Sequence, residues 1–355
     1  MAGSGVYVAA LGASTSVGRD AWSTAAAVRA GISGFTEHPF MVDTVGEPMR
    51  VAMAPWLDVE CEGLDRFEAL LLPAIEQALA PILTAEDTSI RVVLALGLPS
   101  PRPGLIADLE GLVRATVASR MPNRFGAVAT FPVGHAGGFL GLHAALPRLL
   151  QGAFDACVVA GVESYLAPET LEWLEAEDQF HGAGRLNNAW GFIPGEAAGA
   201  ALIVGERALA RLGSAPLARL CSVGRAHEPN RIKTETVCIG EGLTAAFREG
   251  LQGLPPDQQV TDVFCDMNGE PYRADEFGFA ALRTKEAFVS ASDFIAPADC
   301  WGDVSAATAP LTLMLATIAG QKSYANGRFA FLWASSESGE RGAALVELPP
   351  ARERR

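Results

Sequence analysis

Two apolar segments of equal length, one in each half of the chain, place the strongest limit on how this chain can fold. The first spans residues 134–152 and the second residues 302–320, so each ends 18 positions after a glycine that opens it. Neither segment has a polar side that could face water along its length. We therefore expect each to form a helix buried inside an α/β protein.

The sequence that follows each segment also repeats. FDACVVAGVES (Phe154–Ser164) follows the first segment and RFAFLWASSES (Arg328–Ser338) follows the second. Further on, GEAAGAALIV (Gly195–Val204) matches GERGAALV (Gly339–Val346). Three matches in the same order predict two copies of one α/β unit. The alternative is that two buried strand–helix–strand units look alike because all buried α/β segments have a similar amino-acid composition.

A duplicated unit of this kind would place both central helices between two sheets, with their N-termini close to a pseudo-twofold axis. Unpaired N–H groups and the positive ends of the two helix dipoles would then meet, which is a natural site for an oxyanion or a thioester carbonyl. His135 and Asp303 each follow the opening glycine, so on this alignment they occupy equivalent places in the two copies.

Short apolar or β-branched runs alternate with helical patterns along the chain, which favours α/β architecture with mostly parallel sheets. The predicted strands are 6–11, 91–98, 126–130, 156–161, 197–204, 218–223, 260–265, 328–334 and 343–348. The predicted helices are 21–30, 66–80, 105–120, 136–151, 242–250, 275–288 and 305–319. A boundary within 205–216 divides the chain into an N-terminal half, 1–205, and a C-terminal half, 206–355.

Composition excludes several classes of function. The chain has 355 residues, 49% of them apolar, and its 27 Lys and Arg against 41 Asp and Glu leave a net charge of −14. Such an acidic chain lacks the basic stripe that nucleic acid requires, and an anionic membrane surface is excluded as a partner for the same reason. Six scattered cysteines without a CxxC pair are typical of reduced thiols rather than of disulfides or a zinc site.

Neither a nucleotide-binding nor a metal-ligating motif is found, so no cofactor and no metal is expected. The first residues lack the features of a secretory signal, and no run of about 18 apolar residues predicts a membrane span. We expect a cytoplasmic protein.

Three stretches resemble the thiolase superfamily, and within it the β-ketoacyl-acyl-carrier-protein synthases. Residues 6–34 resemble the opening strand, loop and helix of ketosynthases, and residues 134–164 resemble the helix of the nucleophile elbow and the strand after it. Residues 190–199 match the signature aromatic-Gly-Phe-x-x-Gly-Glu-x-x-Gly. The likeness covers nearly the whole chain. It implies a thiolase-like five-layered αβαβα fold from two duplicated halves, and a homodimer joined through the edge strand at 126–132.

Ketosynthases use an elbow cysteine, two histidines and a lysine. In this sequence the resemblance places His135 at the cysteine position, Met267 or Asn268 at the first histidine, Asp303 at the second and Ala298 at the lysine. The resemblance therefore implies that decarboxylative condensation by the family mechanism does not occur here.

The three candidate site residues each have two interpretations. His135 is either a base or acyl acceptor whose tautomer is set by Asp303, or a side chain that fills the vacated nucleophile pocket. Asp303 is either the partner of His135 or an ordinary cap at a helix start. Asn268 lies in a segment, Cys265–Gly269, that also suits an Asx turn after a strand. Cys300, three residues before Asp303, is a candidate to line the pocket.

These alternatives lead to three hypotheses. The first is a catalytically degenerate ketosynthase-like protein with a binding or accessory role. Thiolase-like proteins found beside bacterial type VI secretion components are similar, which suggests an accessory of a secreted effector. The second is an acyltransferase or thioester hydrolase that uses His135 and Asp303. The third is a heterodimer subunit whose partner supplies the cysteine. The candidate partners are an acyl thioester, an acyl carrier protein or an effector protein, and the acidic composition disfavours an acidic carrier protein.

Overall fold

The structure, a computed structural model, describes residues 5–85 and 89–350. The strands are β1 Val6–Thr15, β2 Thr36–Val42, β3 Pro48–Val51, β4 Val92–Gly97, β5 Val128–Phe131, β6 Ala156–Ser164, β7 Glu196–Gly205, β8 Ala218–His227, β9 Asp262–Cys265, β10 Phe329–Ser335 and β11 Glu340–Glu347. The helices are α1 Ala21–Arg29, α2 Gly63–Thr84, α3 Leu109–Arg120, α4 Gly137–Leu150, α5 Pro168–Ala176, α6 Glu206–Leu212, α7 Glu241–Gly250, α8 Pro271–Thr284, α9 Ala298–Trp301 and α10 Thr308–Gln321.

The strand order shows the same arrangement twice. One sheet runs β5-β4-β6-β7-β1-β8-β11-β10-β9, and β2 and β3 form a separate hairpin. In the first half β4 and β6 are parallel, whereas β6–β7 and β7–β1 are antiparallel. In the second half β9 and β10 are parallel, whereas β10–β11 and β11–β8 are antiparallel. The halves join edge to edge where β1 meets β8, through Tyr7 with Arg219 and Val8 with Ala218.

Side-chain alternation along the strands gives each half-sheet two apolar faces. In β6, Cys157 and Val159 pack in the central core, whereas Val158 and Ala160 pack in a core shared with α2 and α3. In β10, Leu332 belongs to the central core and its neighbours to an outer core shared with α7 and α8. Helices α4 and α10 contact strands of both halves. The chain therefore has five layers, αβαβα, as predicted. The prediction of mostly parallel sheets is wrong, since five of the eight strand pairs described in the large sheet are antiparallel.

The two central helices correspond in a register that differs from the sequence alignment by three residues. Each has 14 residues and follows a short 3₁₀ turn, Gly134–Ala136 before α4 and Ser305–Ala307 before α10. The counterpart of His135 is therefore Ala306, and Asp303 lies three residues before that place. The prediction that His135 and Asp303 are equivalent is wrong, because Gly302 has a positive φ like Gly134 but is followed by extra residues before the turn.

All nine predicted strands and seven predicted helices are present with shifted ends. The hairpin β2–β3 and the short helices α5, α6 and α9 were not predicted. Their apolar patterns are weak, since no residue of β2 is buried and α6 has only 7 residues. Helix α8 begins four residues earlier than predicted, at Pro271, whose fixed φ suits the first turn of a helix.

Helix α2 is long and apolar enough by composition to cross a bilayer. Its apolar residues Leu70, Leu71 and Ile75 are buried, and the helix packs on β1, β6 and β7. In the part of the chain that the structure describes, this helix is the single candidate, and 39% of its apolar window is buried against the rest of the fold.

Gly161 of β6 packs closely against the turn that precedes α10, so a substitution here probes that packing. A Cβ at this position would lie 2.1 Å from the backbone oxygen of Ala306 and 2.9 Å from its carbonyl carbon. Because backbone atoms cannot move aside cheaply, we expect Gly161→Ala to lower the free energy of unfolding by about 1–3 kcal/mol, as measured by denaturant titration.

Gly278→Ala is the matched control, since a Cβ there meets nothing within 4 Å on the exposed side of α8. We expect this variant to be neutral or stabilised by up to about 1 kcal/mol, because Ala favours a helix over Gly. Equal stability of the two variants would contradict the packing described for Ala306.

Candidate functional site

The N-termini of the two central helices meet, as the duplicated sequence predicts. The turns before α4 and α10 begin at Gly134 and Ser305, which both have left-handed backbone, with φ of 72° and 32°. A Cβ on Gly134 would lie 3.0 Å from Oγ of Ser305. Glycine fits this position because it tolerates both the positive φ and the close approach.

His135, Asp303 and Asn268 form one hydrogen-bonded cluster at this junction. Nε2 of His135 lies 3.0 and 2.9 Å from the two carboxylate oxygens of Asp303, and Nδ2 of Asn268 donates to Oδ2 of Asp303 over 2.7 Å. His135 is 5% exposed and Asp303 is 4% exposed. Since a carboxylate only accepts, the proton of the His135–Asp303 contact is on Nε2.

Asp303 stays charged in this buried position. Burial alone would raise its pKa, but the charge and hydrogen bond of His135, the charge of Arg273 and the hydrogen bond from Asn268 hold the pKa well below its ordinary value. Asp303 also accepts a hydrogen bond from the backbone N–H of Ser305 over 2.8 Å. Both sequence interpretations of Asp303, partner of His135 and cap of a turn, therefore describe its contacts. Asn268 likewise closes an Asx turn by accepting from the N–H of Glu270 over 3.1 Å.

Arg273 is the main residue that sequence reasoning missed. It is 1% exposed, and its Nη1 donates to Asp266 over 2.7 Å and to the backbone oxygen of Ser335 over 2.9 Å. Its Nη2 lies 3.3 Å from Nε2 of His135, where two donors face each other. Burial would lower the pKa of Arg273, but Asp266 and other nearby acids raise it, so the guanidinium stays charged. The sequence feature that could have identified Arg273 is its position as an arginine among the acids of the segment from β9 to the start of α8.

A second layer of ion pairs surrounds Arg273. Its Nε lies 3.4 Å from Glu270, whose other oxygen is 3.0 Å from Nζ of Lys233. Lys233 also binds Glu337 over 2.6 Å. The ion pairs thus continue from the buried Arg273 through Glu270 to Lys233 near the surface. Charges that are removed from water need such partners.

Side chains of the protein itself accept hydrogen bonds from two backbone N–H groups at this junction. Oγ of Ser336 accepts from the N–H of Ala136 over 2.9 Å, and Oδ1 of Asp303 accepts from the N–H of Ser305. The sequence predicts that helix N-termini meeting here leave N–H groups free for an oxyanion. For Ala136 and Ser305 that prediction is wrong, since neither N–H is free.

Two cavities lie on either side of Asp303. One of about 10 Å³ is lined by His135, Cys265, Trp301 and other buried residues, and it has room for about one water. The other has a volume of about 220 Å³ and is lined by Asn268, His181 and Phe35 among others. His181 therefore lines the cavity against Asp303.

The thiols near the junction are held in their neutral form. Burial raises the pKa of Cys157 to about 12 and raises that of Cys265 well above its ordinary value. Cys300 does not line either cavity; its Sγ lies 3.9 Å from the backbone oxygen of Val28, and burial raises its pKa too. A neutral thiol is a poor nucleophile, so these cysteines do not supply a ready thiolate.

No protein-family model matches the sequence, and no curated protein matches it. Among solved structures, the chain is similar to the complex of a type II polyketide synthase acyl-carrier protein with its ketosynthase bound to the hexaketide, with a TM-score of 0.78 at 14% identity over 97% of this chain and 99% of that one. It is also similar to the ketosynthase from module 6 of the bacillaene synthase of Bacillus subtilis 168, with a TM-score of 0.73 at 16% identity over 97% and 72%.

A third similar structure is the ishigamide ketosynthase/chain length factor, with a TM-score of 0.65 at 18% identity over 97% of this chain and 99% of that one. At these identities the likeness establishes the fold. The chain has the thiolase-like fold of ketosynthases, as the sequence resemblance implies.

Replacing the central carboxylate changes how stability depends on pH. The pKa of Asp303 is lower in the folded chain than the value of about 3.9 in an unfolded one, so its contribution is present above that value and is lost as the pH falls below it. At pH 7, Asp303→Asn removes the buried carboxylate that His135 contacts and that faces the charge of Arg273, and we expect the free energy of unfolding to fall by about 3–5 kcal/mol.

The difference between the wild type and Asp303→Asn should shrink as the pH is lowered from about 5 to 3, measured by urea titration at each pH. Asp257→Asn, at an exposed position, serves as the control and should change little at any pH. A difference that stays constant over this range would show that the carboxylate of Asp303 is not held charged by its neighbours.

Proposed function

We propose that this chain is a non-condensing protein with a ketosynthase fold that acts as a binding or accessory subunit. The observation that supports this most directly is the filled junction between the two central helices. His135 contacts both Asp303 and Arg273 there, the N–H of Ala136 is capped by Ser336, and the adjoining cavity of about 10 Å³ cannot accept an acyl group.

The contacts of Nε2 of His135 restrict what this residue can do. A general base must have a nitrogen free to accept a proton; Nε2 donates to Asp303 and is not free, so only Nδ1 could take that role. Nη2 of Arg273 lies against the same nitrogen and adds a positive charge. An acyl-imidazole at Nε2 would have to break the contact with Asp303 and leave this carboxylate buried with fewer partners.

The partner we propose is another protein. One similar structure pairs a ketosynthase with a chain length factor, and another holds an acyl-carrier protein. For this chain, the acidic composition argues for a partner other than an acidic carrier protein. An accessory of a type VI secretion effector remains the specific form of this role that the sequence resemblance suggests.

We also propose a homodimer joined through β5. This strand is at one end of the sheet and, within the described residues, pairs with β4 alone, so its outer edge is open to a symmetry mate. Light scattering on the purified chain should give twice the mass of one chain, and a monomer at all concentrations would contradict this proposal.

The non-condensing proposal is tested by incubation with acetyl-CoA or hexanoyl-CoA followed by malonyl-CoA. We expect the intact mass of the protein to stay unchanged and no carbon dioxide to be released, because burial raises the pKa of the Cys157 and Cys265 thiols and keeps them neutral. A condensing ketosynthase run in parallel serves as the positive control. A stable acyl adduct that disappears in His135→Ala would contradict the proposal.

A second candidate function is thioester hydrolysis or acyl transfer by His135 and Asp303. The contact of 2.9 Å between them and the cavity of about 220 Å³ against Asp303 favour it. Release of free thiol from acyl-CoA should then be abolished in His135→Ala while the near-UV circular dichroism is retained. Turnover equal in the variant and the wild type would exclude these residues as its source.

A further inference from the structure

The β2–β3 hairpin stands between two surface cavities away from the central junction. One cavity, of about 620 Å³, lies between the hairpin and α5 and is lined by Val42, Thr44, Glu172 and Leu186 among others. The second, of about 250 Å³, lies on the other side, where Phe40 and Glu62 are among its lining residues. The hairpin, α5 and the loop 181–190 are together called the hairpin face.

Large apolar side chains are exposed on the hairpin face. Phe40, which lines the cavity of about 250 Å³, is 69% exposed, and Val42, which lines the cavity of about 620 Å³, is 55% exposed. Leu186 and Trp190 in the adjoining loop are 85% and 69% exposed. Val42 and Leu186 share one cavity, so these side chains form a group rather than isolated exposures. Grouped apolar exposure of this kind is typical of an interaction site.

The same face is strongly acidic. Residues 169–178, in and just after α5, contain five Asp and Glu and no Lys or Arg. Glu175 is used within the fold, where it accepts from the N–H and Oγ1 of Thr44 over 2.8 and 2.6 Å. Within residues 5–85 and 89–350, Glu172, Glu177 and Asp178 make no ion pair. Across the hairpin, Asp58, Glu60 and Glu62 add three more acids in five residues.

We propose that the hairpin face binds a basic segment of a partner protein that carries large apolar side chains. This inference rests on the proposed accessory function and names the chemistry of its partner. Apolar side chains of the segment would fill the cavity between Val42 and Leu186. Lys and Arg side chains would lay their aliphatic stems along the apolar surface and bring their charges to Glu172, Glu177 and Asp178.

The charge of the face selects this occupant over others. Arg185 lines the same cavity, but the Asp and Glu residues of this face outnumber it, so nucleic acid and acidic proteins would be repelled. A wholly polar basic segment would leave Phe40, Val42 and Leu186 in water. The loop that carries Leu186 also contributes His181 to the cavity against Asp303, so a bound segment would lie beside the mouth of the central site.

The test uses the full chain and a synthetic peptide that places Leu on one helical side and Lys on the other. Binding is measured by anisotropy of a labelled peptide. We expect Glu172→Lys combined with Glu177→Lys to weaken binding about tenfold or more, which is about 1.4 kcal/mol. Leu186→Ser should weaken it as well, and added salt should weaken binding to the wild type.

Matched controls carry the same changes on the other half of the chain. Glu235→Lys combined with Asp257→Lys alters the net charge equally at exposed positions, and Leu282→Ser removes a leucine that is 67% exposed on α8. These controls should bind like the wild type, and thermal unfolding should show that all variants are folded. Equal weakening in the controls would overturn the proposal, because binding would then follow overall charge alone.

Two further outcomes separate this inference from the proposed function. A peptide with every Leu replaced by Ser should bind much more weakly, and equal binding would overturn the role of the apolar residues. If the wild-type chain does not bind the peptide, the docking inference is overturned. The non-condensing proposal is unaffected by that result, because it is tested separately with acyl thioesters. Acyl-thioester turnover together with specific peptide binding would overturn the proposed function while keeping this docking surface.

Discussion

The ion pairs that bury Asp303 organise the centre of this molecule. Three carboxylates, Asp266, Glu270 and Asp303, are almost wholly removed from water, and charges in that position destabilise a fold unless cations and hydrogen bonds compensate them. Arg273 and His135 supply that compensation from opposite sides of the junction. The cluster joins the turn before α4 to α8 and to the turn before α10, and so holds the two duplicated halves in one arrangement.

This compensation also limits what the centre can do. Helix N-termini that meet with free N–H groups and space beside them would form an anion site. Here Ser336 caps one N–H, Asp303 caps the other, and the adjoining cavity has room for about one water. The large apolar side chains and the unpaired acids lie instead at the surface around the β2–β3 hairpin, where they are available to a partner.

Much of the architecture was predictable because the pattern of apolar residues along the sequence indicates which segments are buried. Helix α10 has no polar side, which requires protein on every side, and the repeated strand after each central helix implies a second copy of the unit. The register of that repeat was not predictable to the residue. Gly302 looks like the counterpart of Gly134, but the turn begins at Ser305, which adopts the left-handed backbone that the sequence assigns to glycine.

The sequence by itself determined the class of fold, the two central helices and the place where their N-termini meet, since these follow from apolar patterning and glycine spacing. It also brought His135, Asn268 and Asp303 together as candidates. The tertiary structure alone decided that Arg273 completes the cluster and that Ser336 caps the N–H of Ala136. Both contacts join residues more than a hundred positions apart, and long-range polar contacts leave no periodic pattern in the sequence.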